Sequence, residues 1–385
     1  MTRDAWAKLR DYPARGPRRI VGLMTGTSAD AIDAALVRFD AAGAAARPVL
    51  ERYRETPLDE ALRGWILDLA GAEAWRPEAL MELDAELGER YAVAVKDLLR
   101  EAGLEAADLD AIASHGQTVR HLPRGEDAGR ARTLQIGSAA ILAERTGIAV
   151  VSDFRSRDTA AGGEGAPLVP MADAWLFGSD EESRVLLNLG GMANLTVLPK
   201  GRRGEAFAFD TGPGNALIDD WVRRHTGRSA DLDGALARAG QISAEHVARF
   251  LQNSYFDRKP PKSLDRDDFR DAMPQGLAVA DGAATLTEMT AACVTAAQRH
   301  FPTPPREWLV CGGGRHNPVI MAALARLLAV PVRPVEAVGW NGDALEAQAF
   351  AYLAVRSVVG LPLSLPSTTG APHPVCGGRL FEAPR

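Results

Sequence analysis

The chain has 385 residues, 24% of them charged and 46% hydrophobic, with a net charge of -6. This suits two ordinary domains or one large one, and gives no support to nucleic-acid binding through bulk charge. Cys293, Cys311 and Cys376 are too few and too scattered for a disulfide framework or a zinc site. No apolar run approaches the roughly 20 residues that cross a bilayer. The opening MTRDAWAKLRDYPARGPRR lacks the apolar centre of a secretory signal. A cytoplasmic protein with a charged extension over residues 1–18 is expected.

Order is expected from Arg19, where RIVGLMTGTSADAIDAALVRFD reads as strand, turn and strand. Thr25, Gly26, Thr27 and Ser28 form the turn, whose N–H groups and hydroxyls could hold phosphate oxygens. Asp30 and Asp33 are hard oxygen donors suited to Mg²⁺, although an ordinary polar hairpin would read the same way. Residues 58–103 have the apolar spacing of helices. A strand over 109–114 then leads into HGQTVRHLP. His115, Gln117, Thr118, Arg120 and His121 are expected on a loop beyond that strand, where they could hydrogen-bond a polyhydroxylated ligand. A strand, a helix and a strand follow over 134–137, 139–146 and 148–151. Asp153, Arg155, Arg157 and Asp158 come next, then a flexible loop over 162–167. The arginines could grip a carboxylate or phosphate, or pair internally with the two aspartates.

The most informative stretch is 185–219, VLLNLGGMANLTVL and then FAFDTGPGNALID. Gly190 and Gly191 read as a hairpin turn. Asp210 is expected to close a strand over 207–209, with Gly212, Pro213 and Gly214 turning the chain into a helix near Asn215. A strand end feeding a helix N-terminus suits an anion and a residue acting on it; a plain turn cap reads alike. Helical pattern continues through Phe250. YFDRKPPKSLDRDDF then reads as an exposed loop and short helix carrying no catalytic constellation. A helix over 285–300 and a strand over 308–311 lead into Gly312, Gly313 and Gly314, which would let a flat ligand approach the backbone. Asp343 and Glu346 open a last apolar helix, where acidic residues also simply favour the helix dipole.

Three glycine turns thus follow strands, with no GxxxxGK[ST] and no GxGxxG at a first strand. The ordered set MTGTSADAID, HGQTVRH, TLQIG, DFRSRD, AAGGEGAPLVP, LLNLGGMANLT, FDTGPGNALID, VCGGGRHNP and EAQAFAYLA resembles the anhydro-N-acetylmuramic acid kinase family from residue 19 to about 380. The resemblance implies an α/β, two-domain actin-like ATPase fold of the ribonuclease H-like type with an interdomain cleft. The first domain would comprise 19–168 plus about 347–385, and the second 169–346.

It also implies a kinase that uses ATP and Mg²⁺ to open 1,6-anhydro-N-acetylmuramic acid and phosphorylate O6 in cell-wall recycling. By the family pattern Asp210 is the base and Glu346 a second group on the water. Gly26, Thr27, Ser28, Asp30, Asp33, Gly190, Gly191, Gly312, Gly313 and Gly314 would surround the nucleotide, with Asp30 and Asp33 toward Mg²⁺. His115, Gln117, Thr118, Arg120, Asp153 and Arg157 would face the sugar. The expected partners are the sugar and ATP, with no nucleic acid and no membrane; monomer and homodimer stay open. This sequence departs from the pattern at Thr25 for Ser, Ala31 for Gly and Glu164 for Gln. The rival readings are an ordinary amino-sugar kinase of the same superfamily and a non-kinase ATP-binding module.

Overall fold

The computed structural model describes residues 18–40, 48–123, 129–202, 205–264 and 266–384. Of the extension expected over residues 1–18, all but Arg18 lies outside them. The chain divides into two compact units, Met1–Ala172 with Ala344–Arg385, and Asp173–Asp343.

In the first unit, β1 (Arg18–Thr25) is apolar on both faces, as a strand covered on both sides must be. Its neighbours are β2 (Ala31–Phe39) and, beyond it, β3 (Pro48–Pro57), both antiparallel. On the other side lie β4 (Ala111–Leu122) and β6 (Val150–Ser152), parallel to β1 and β4 respectively. β5 (Arg132–Ile136) pairs with the far half of β4, and β12 (Arg379–Phe381) edges the sheet next to β6. β3, PVLERYRETP, is charged and largely exposed, in keeping with an edge strand.

Val21 and Leu23 on one face pack with α1 (Glu60–Gly71) and α2 (Pro77–Ala102) through Leu62, Ile66, Leu83, Leu87 and Tyr91. α2 opens with proline in its first turn and ends on left-handed Gly103. α3 (Ala139–Thr146) and α4 (Ser156–Ala160) follow, and α5 (Pro170–Leu176) runs into the second unit.

In that unit the strands are β7 (Arg184–Leu189), β8 (Met192–Leu198), β9 (Phe207–Pro213), β10 (Glu307–Cys311) and β11 (Val332–Pro334), in the order β11-β10-β7-β8-β9. Its helices are α6 (Ala216–Thr226), α7 (Ala235–Ala239), α8 (Ala244–Phe250), α9 (Val279–Ala296) and α10 (Pro318–Leu328). Val185, Leu187 and Leu189, every second residue of β7, join Leu217, Trp221, Leu286 and Trp308 in one core.

The same path therefore occurs twice: three antiparallel strands, then two parallel ones added on the side of the first, β3-β2-β1-β4-β6 and β9-β8-β7-β10-β11. This is the duplicated ribonuclease H-like order of an actin-like ATPase. The chain returns to the first unit in α11 (Leu345–Val358), and α12 (Pro366–Thr369) follows. α11 is buried almost all round, and its alanines let it lie close to the sheet.

Three expectations change. His115 to His121 lie in β4, not on a loop beyond it. Left-handed Gly116 and a register shift opposite Leu23 and Thr25 let the strand swivel and continue as a hairpin with β5. Asp210 does not end its strand, because β9 runs on to Pro213 past a bulge opposite Ala193 and Asn194. The Pro-bearing segment after Phe250 is not a plain exposed loop: Tyr255, Phe256, Lys262, Ser263 and Leu264 are buried.

A methyl on Gly22 of β1 would lie 1.8 Å from the Ala347 carbonyl oxygen of α11. Gly22→Ala should therefore push strand and helix apart and lower stability by ~1–3 kcal/mol in urea denaturation. An unchanged midpoint would show that the two can separate without loss.

Candidate active site

In the first unit the turn between β1 and β2 is held from beneath. Thr25 is buried, with its hydroxyl 3.0 Å from that of Tyr91, so the Thr that replaces Ser serves packing. Ala29 takes the left-handed conformation and its N–H reaches the Gly26 carbonyl at 3.0 Å. Ala31, where the resemblance leads one to expect glycine, opens β2 without a positive φ. Thr27, Ser28 and Asp30 stay exposed at the tip. Arg63 of α1 donates to the Ser28 carbonyl at 3.2 Å and to Asp30 at 2.9 Å. Asp33 accepts from the Tyr53 hydroxyl at 2.5 Å.

Along β4 the polar side chains divide their work. Gln117 donates to the Gly26 carbonyl at 3.2 Å and so steadies the turn. Thr118 accepts from Gln135 at 3.1 Å. Arg120 donates to the Ala72 carbonyl and lies 5.2 Å over the Trp75 ring. His115 is buried; its Nδ1 is 2.8 Å from the Gly116 carbonyl and its Nε2 accepts from Arg155 Nε at 3.0 Å. That pattern assigns the ring proton to Nδ1. Burial first, and then the Arg155 charge, holds the imidazole well below its usual range, hence neutral.

Arg155 is the arginine that the unit gathers in, while Arg157 and Asp153 are exposed. Asp153 accepts from the Ser156 N–H at 3.2 Å at the start of α4. Arg155 donates to the Gly165 carbonyl at 2.7 Å. Burial lowers its guanidinium to about 10, opposed by the charges of Glu346 and Asp158. Asp158 anchors the glycine loop: it accepts from Gly165 N–H at 2.7 Å and Thr369 at 2.7 Å, and also from Ser364. A methyl on Gly163 would fall 2.1 Å from its carboxylate. Glu164 bonds through its N–H to the Thr369 carbonyl at 2.8 Å. Glu346 stands in the first turn of α11.

In the second unit Asp210 is bracketed by the segment that sequence reading set aside. Its N–H donates to the Lys262 carbonyl at 3.1 Å, and its Oδ2 accepts from Leu264 N–H at 2.8 Å. Tyr255 donates from its hydroxyl to the Asp210 carbonyl at 2.6 Å. Lys262 ties the segment together by donating to the Tyr255 carbonyl at 2.9 Å, its ammonium 4.3 Å from the Tyr255 ring centroid. Burial pushes the Asp210 carboxyl from 3.8 up to about 7; Leu264 N–H and Lys262 oppose this and Asp268 adds to it. Among the described residues Oδ1 takes no hydrogen bond. One anchored oxygen, one open oxygen and a pKa near neutrality equip a carboxylate to accept a proton. The only signal in the sequence was the aromatic pair Tyr255 and Phe256 within a polar stretch.

The glycine turns are used differently from expectation. Gly190 and Gly191 turn their carbonyls to the opening of α6, where they accept from the N–H groups of Gly214, Asn215 and Ala216 at 2.9 to 3.0 Å. Those N–H groups are engaged within the protein, so they do not form the anion site expected there. Gly312 and Gly314 are required by packing, since a methyl would meet Asn188 Oδ1 at 2.3 Å or the Leu189 side chain at 2.7 Å. Gly313 alone of the three has open space before it. Arg315, behind them, binds Glu336 at 2.9 Å and Asp343 at 2.8 Å and borders a depression of about 720 Å³ with His316, Gly339 and Trp340.

The doubled strand order, without a P-loop in the sequence, gives the protein the two-domain fold of the actin-like ATPases. Residues 18–383 match the model of the anhydro-N-acetylmuramic acid kinase family, and the chain belongs to that family. It is 48% identical over 365 residues to an anhydro-N-acetylmuramic acid kinase of Paramagnetospirillum magneticum, covering 93% of this chain and 98% of the relative. One from Acidiphilium cryptum is 49% identical over 368 residues, covering 94% and 98%. Solved structures are more distant: (R)-2-hydroxyglutaryl-CoA dehydratase component A of Acidaminococcus fermentans has a TM-score of 0.44 at 12% identity, covering 88% of this chain and 99% of that one. No described helix is long and apolar enough to cross a membrane.

A raised carboxyl pKa means that the folded protein holds the Asp210 proton more tightly than the unfolded chain does. Stability from this group is present at low pH and is lost as pH rises through about 7. Asp210→Asn escapes that loss. Its melting temperature should exceed the wild type at about pH 8, with a gap that narrows toward about pH 4. A gap independent of pH would contradict the burial of this charge.

Proposed function

We propose that the chain adds water across the bridge of 1,6-anhydro-N-acetylmuramic acid and transfers the ATP γ-phosphoryl group to the freed O6. The products would be N-acetylmuramic acid 6-phosphate and ADP. Membership in the family over residues 18–383 supports the substrate. The observation that carries the chemistry is Asp210, held through Oδ2 by Leu264 N–H with its carboxyl brought to about 7. A general base must be ionised yet basic enough to take a proton, and a pKa near the working pH serves both needs.

In this reading Asp210 removes a proton from water as the water oxygen bonds to C1. The C1–O6 bond breaks, and O6 takes the phosphoryl group. Glu346 is the second carboxylate, polarising or positioning that water. On the first unit, Gly26, Thr27 and Ser28 at the exposed tip are assigned to the phosphates, where the protein's task is placement and charge neutralisation. On the second unit, Gly313, with open space at its Cα, is the best placed of the glycines for the nucleotide. Thr118, Arg120, Asp153 and Arg157 keep their assignment to the sugar.

The chemistry of Asp30 and Asp33, hard carboxylate oxygens next to the exposed turn, suits Mg²⁺, which would have to compete with Arg63 at Asp30 and with the Tyr53 hydroxyl at Asp33. Among the described residues no group of three or more His, Cys, Asp or Glu forms a protein-only metal cage. One or two carboxylates such as Asp30 and Asp33, completed by phosphate oxygens and water, are what this ion takes. When bound, the ion would neutralise phosphate charge.

A coupled ADP-release assay should show turnover that requires the anhydro sugar, and ADP release unaffected by the sugar would refute the kinase. In ¹⁸O-labelled water the label should enter the anomeric hydroxyl. Asp210→Asn should retain ATP binding and lose turnover by at least ~100-fold. In the wild type, kcat/KM should climb with pH to a plateau above about 7, as Asp210 loses its proton.

A further inference from the structure

We propose that Lys262, acting through Tyr255, is a positioning residue that holds Leu264 N–H on Asp210 Oδ2 and so presents Oδ1 as the oxygen that takes the proton. The inference rests on the kinase reading and deepens it. Three bonds bracket Asp210: its N–H reaches the Lys262 carbonyl at 3.1 Å, its carbonyl accepts from the Tyr255 hydroxyl at 2.6 Å, and Oδ2 accepts from Leu264 N–H at 2.8 Å. All three partners belong to one segment, 255–264. Beyond a single turn of 3₁₀ helix over Ser254–Asp257 that segment belongs to no helix or strand, so side chains must set its shape.

Lys262 supplies that constraint. Its ammonium donates to the Tyr255 carbonyl at 2.9 Å, closing the segment across seven positions. It stands 4.3 Å from the Tyr255 ring centroid and 5.6 Å from that of Phe209, the residue before Asp210 in β9. It therefore grips the segment and the strand at once. Lys262 is 5% exposed, and lysine is rarely buried to this degree without a partner. Burial first, then the charges of Arg258 and Arg299, brings the ammonium down to about 8, which leaves it charged at neutral pH. A buried charge answered by a carbonyl and two ring faces is costly to move, so Lys262 is a fixed point for the segment. With Oδ2 engaged, Oδ1 is the oxygen left for a water. A carboxylate free to rotate would lose the alignment on which proton transfer depends.

Leu264 N–H and the Lys262 charge both hold the Asp210 carboxyl below the value that burial alone would give, while Asp268 acts against them. The Tyr255 hydroxyl and the Cys293 thiol of α9, both raised by burial, are neutral at the working pH. Loosening the segment therefore raises the pH at which Asp210 loses its proton.

Two measurements test this on variants whose melting curves confirm folding: steady-state kinetics with ATP and the anhydro sugar, and ¹³C NMR titration of Asp210 in carboxyl-labelled protein, the signal assigned by its absence in Asp210→Asn. Lys262→Met keeps the stem and removes the ammonium. It should lower kcat by about 10- to 100-fold with KM for ATP nearly unchanged, and move the Asp210 midpoint up by about half to one pH unit. Tyr255→Phe changes no charge and keeps the ring against the ammonium, losing only the hydroxyl. Its midpoint should rise in the same direction with a smaller loss of kcat, and it carries the test should Lys262→Met not fold. The double variant should lose little more than Lys262→Met alone, because both side chains act through one segment. Midpoints unshifted from wild type, a loss carried only by KM for ATP, or additive losses overturn the proposal. A wild type that titrates as expected but turns over no sugar would instead refute the kinase reading, while the titration shifts still decide the positioning.

Discussion

Asp210 is a half-buried carboxylate that has lost part of its hydration, and the architecture around it follows from that constraint. An ionised carboxyl taken out of water must be compensated or it keeps its proton. Here compensation is partial. Leu264 supplies one N–H to Oδ2, and burial still raises the carboxyl to about 7. The segment that supplies the N–H must be rigid to do so. It is anchored by Tyr255 donating to the Asp210 carbonyl and by Lys262 lying on the Tyr255 ring. The β-bulge opposite Ala193 and Asn194 locally breaks the pairing of β9 where Asp210 stands, a device that re-aims a side chain.

The first unit solves a different problem, the placement of Glu346. It does so by bringing backbone onto backbone: Gly22 leaves room for the Ala347 carbonyl, so α11 lies directly on β1. The next residues of the helix then fall over β4, where Phe350 meets His115. The carboxylate at the helix head is thereby set by the contact of strand and helix. Asp158 secures the neighbouring glycine loop to the segment after α11 through Ser364 and Thr369. The loop at 162–167 is consequently pinned at Gly165 by a buried carboxylate.

Strand–turn–strand at 19–39, the hairpin at Gly190 and Gly191 and the helix at 139–146 were legible because each is a local pattern. Alternation, a glycine at the reversal and an apolar stripe need no distant partner. β4 was cut short in the reading because its outer half is polar. What makes it strand is pairing with β5, a partner invisible to a local window. The three glycines at 312–314 were read as one feature, yet two serve packing against β7 and α6 and one faces open space.

Residue type and short spacing by themselves determined the strand–turn–strand at the start, the glycine turns and the main helices, while Asp210 and Glu346 were singled out by the ordered motifs that resemble the kinase family. Tertiary structure decided which polar groups work together. Leu264 reaches Asp210 across 54 positions, and Arg155 reaches His115 across 40. No periodicity encodes such meetings, because they depend on how separate segments fold back over a sheet. The electrostatic character of Asp210 and His115 was likewise undecided until burial was known, for the shift of a titratable group comes from the solvent it loses and the charges it meets.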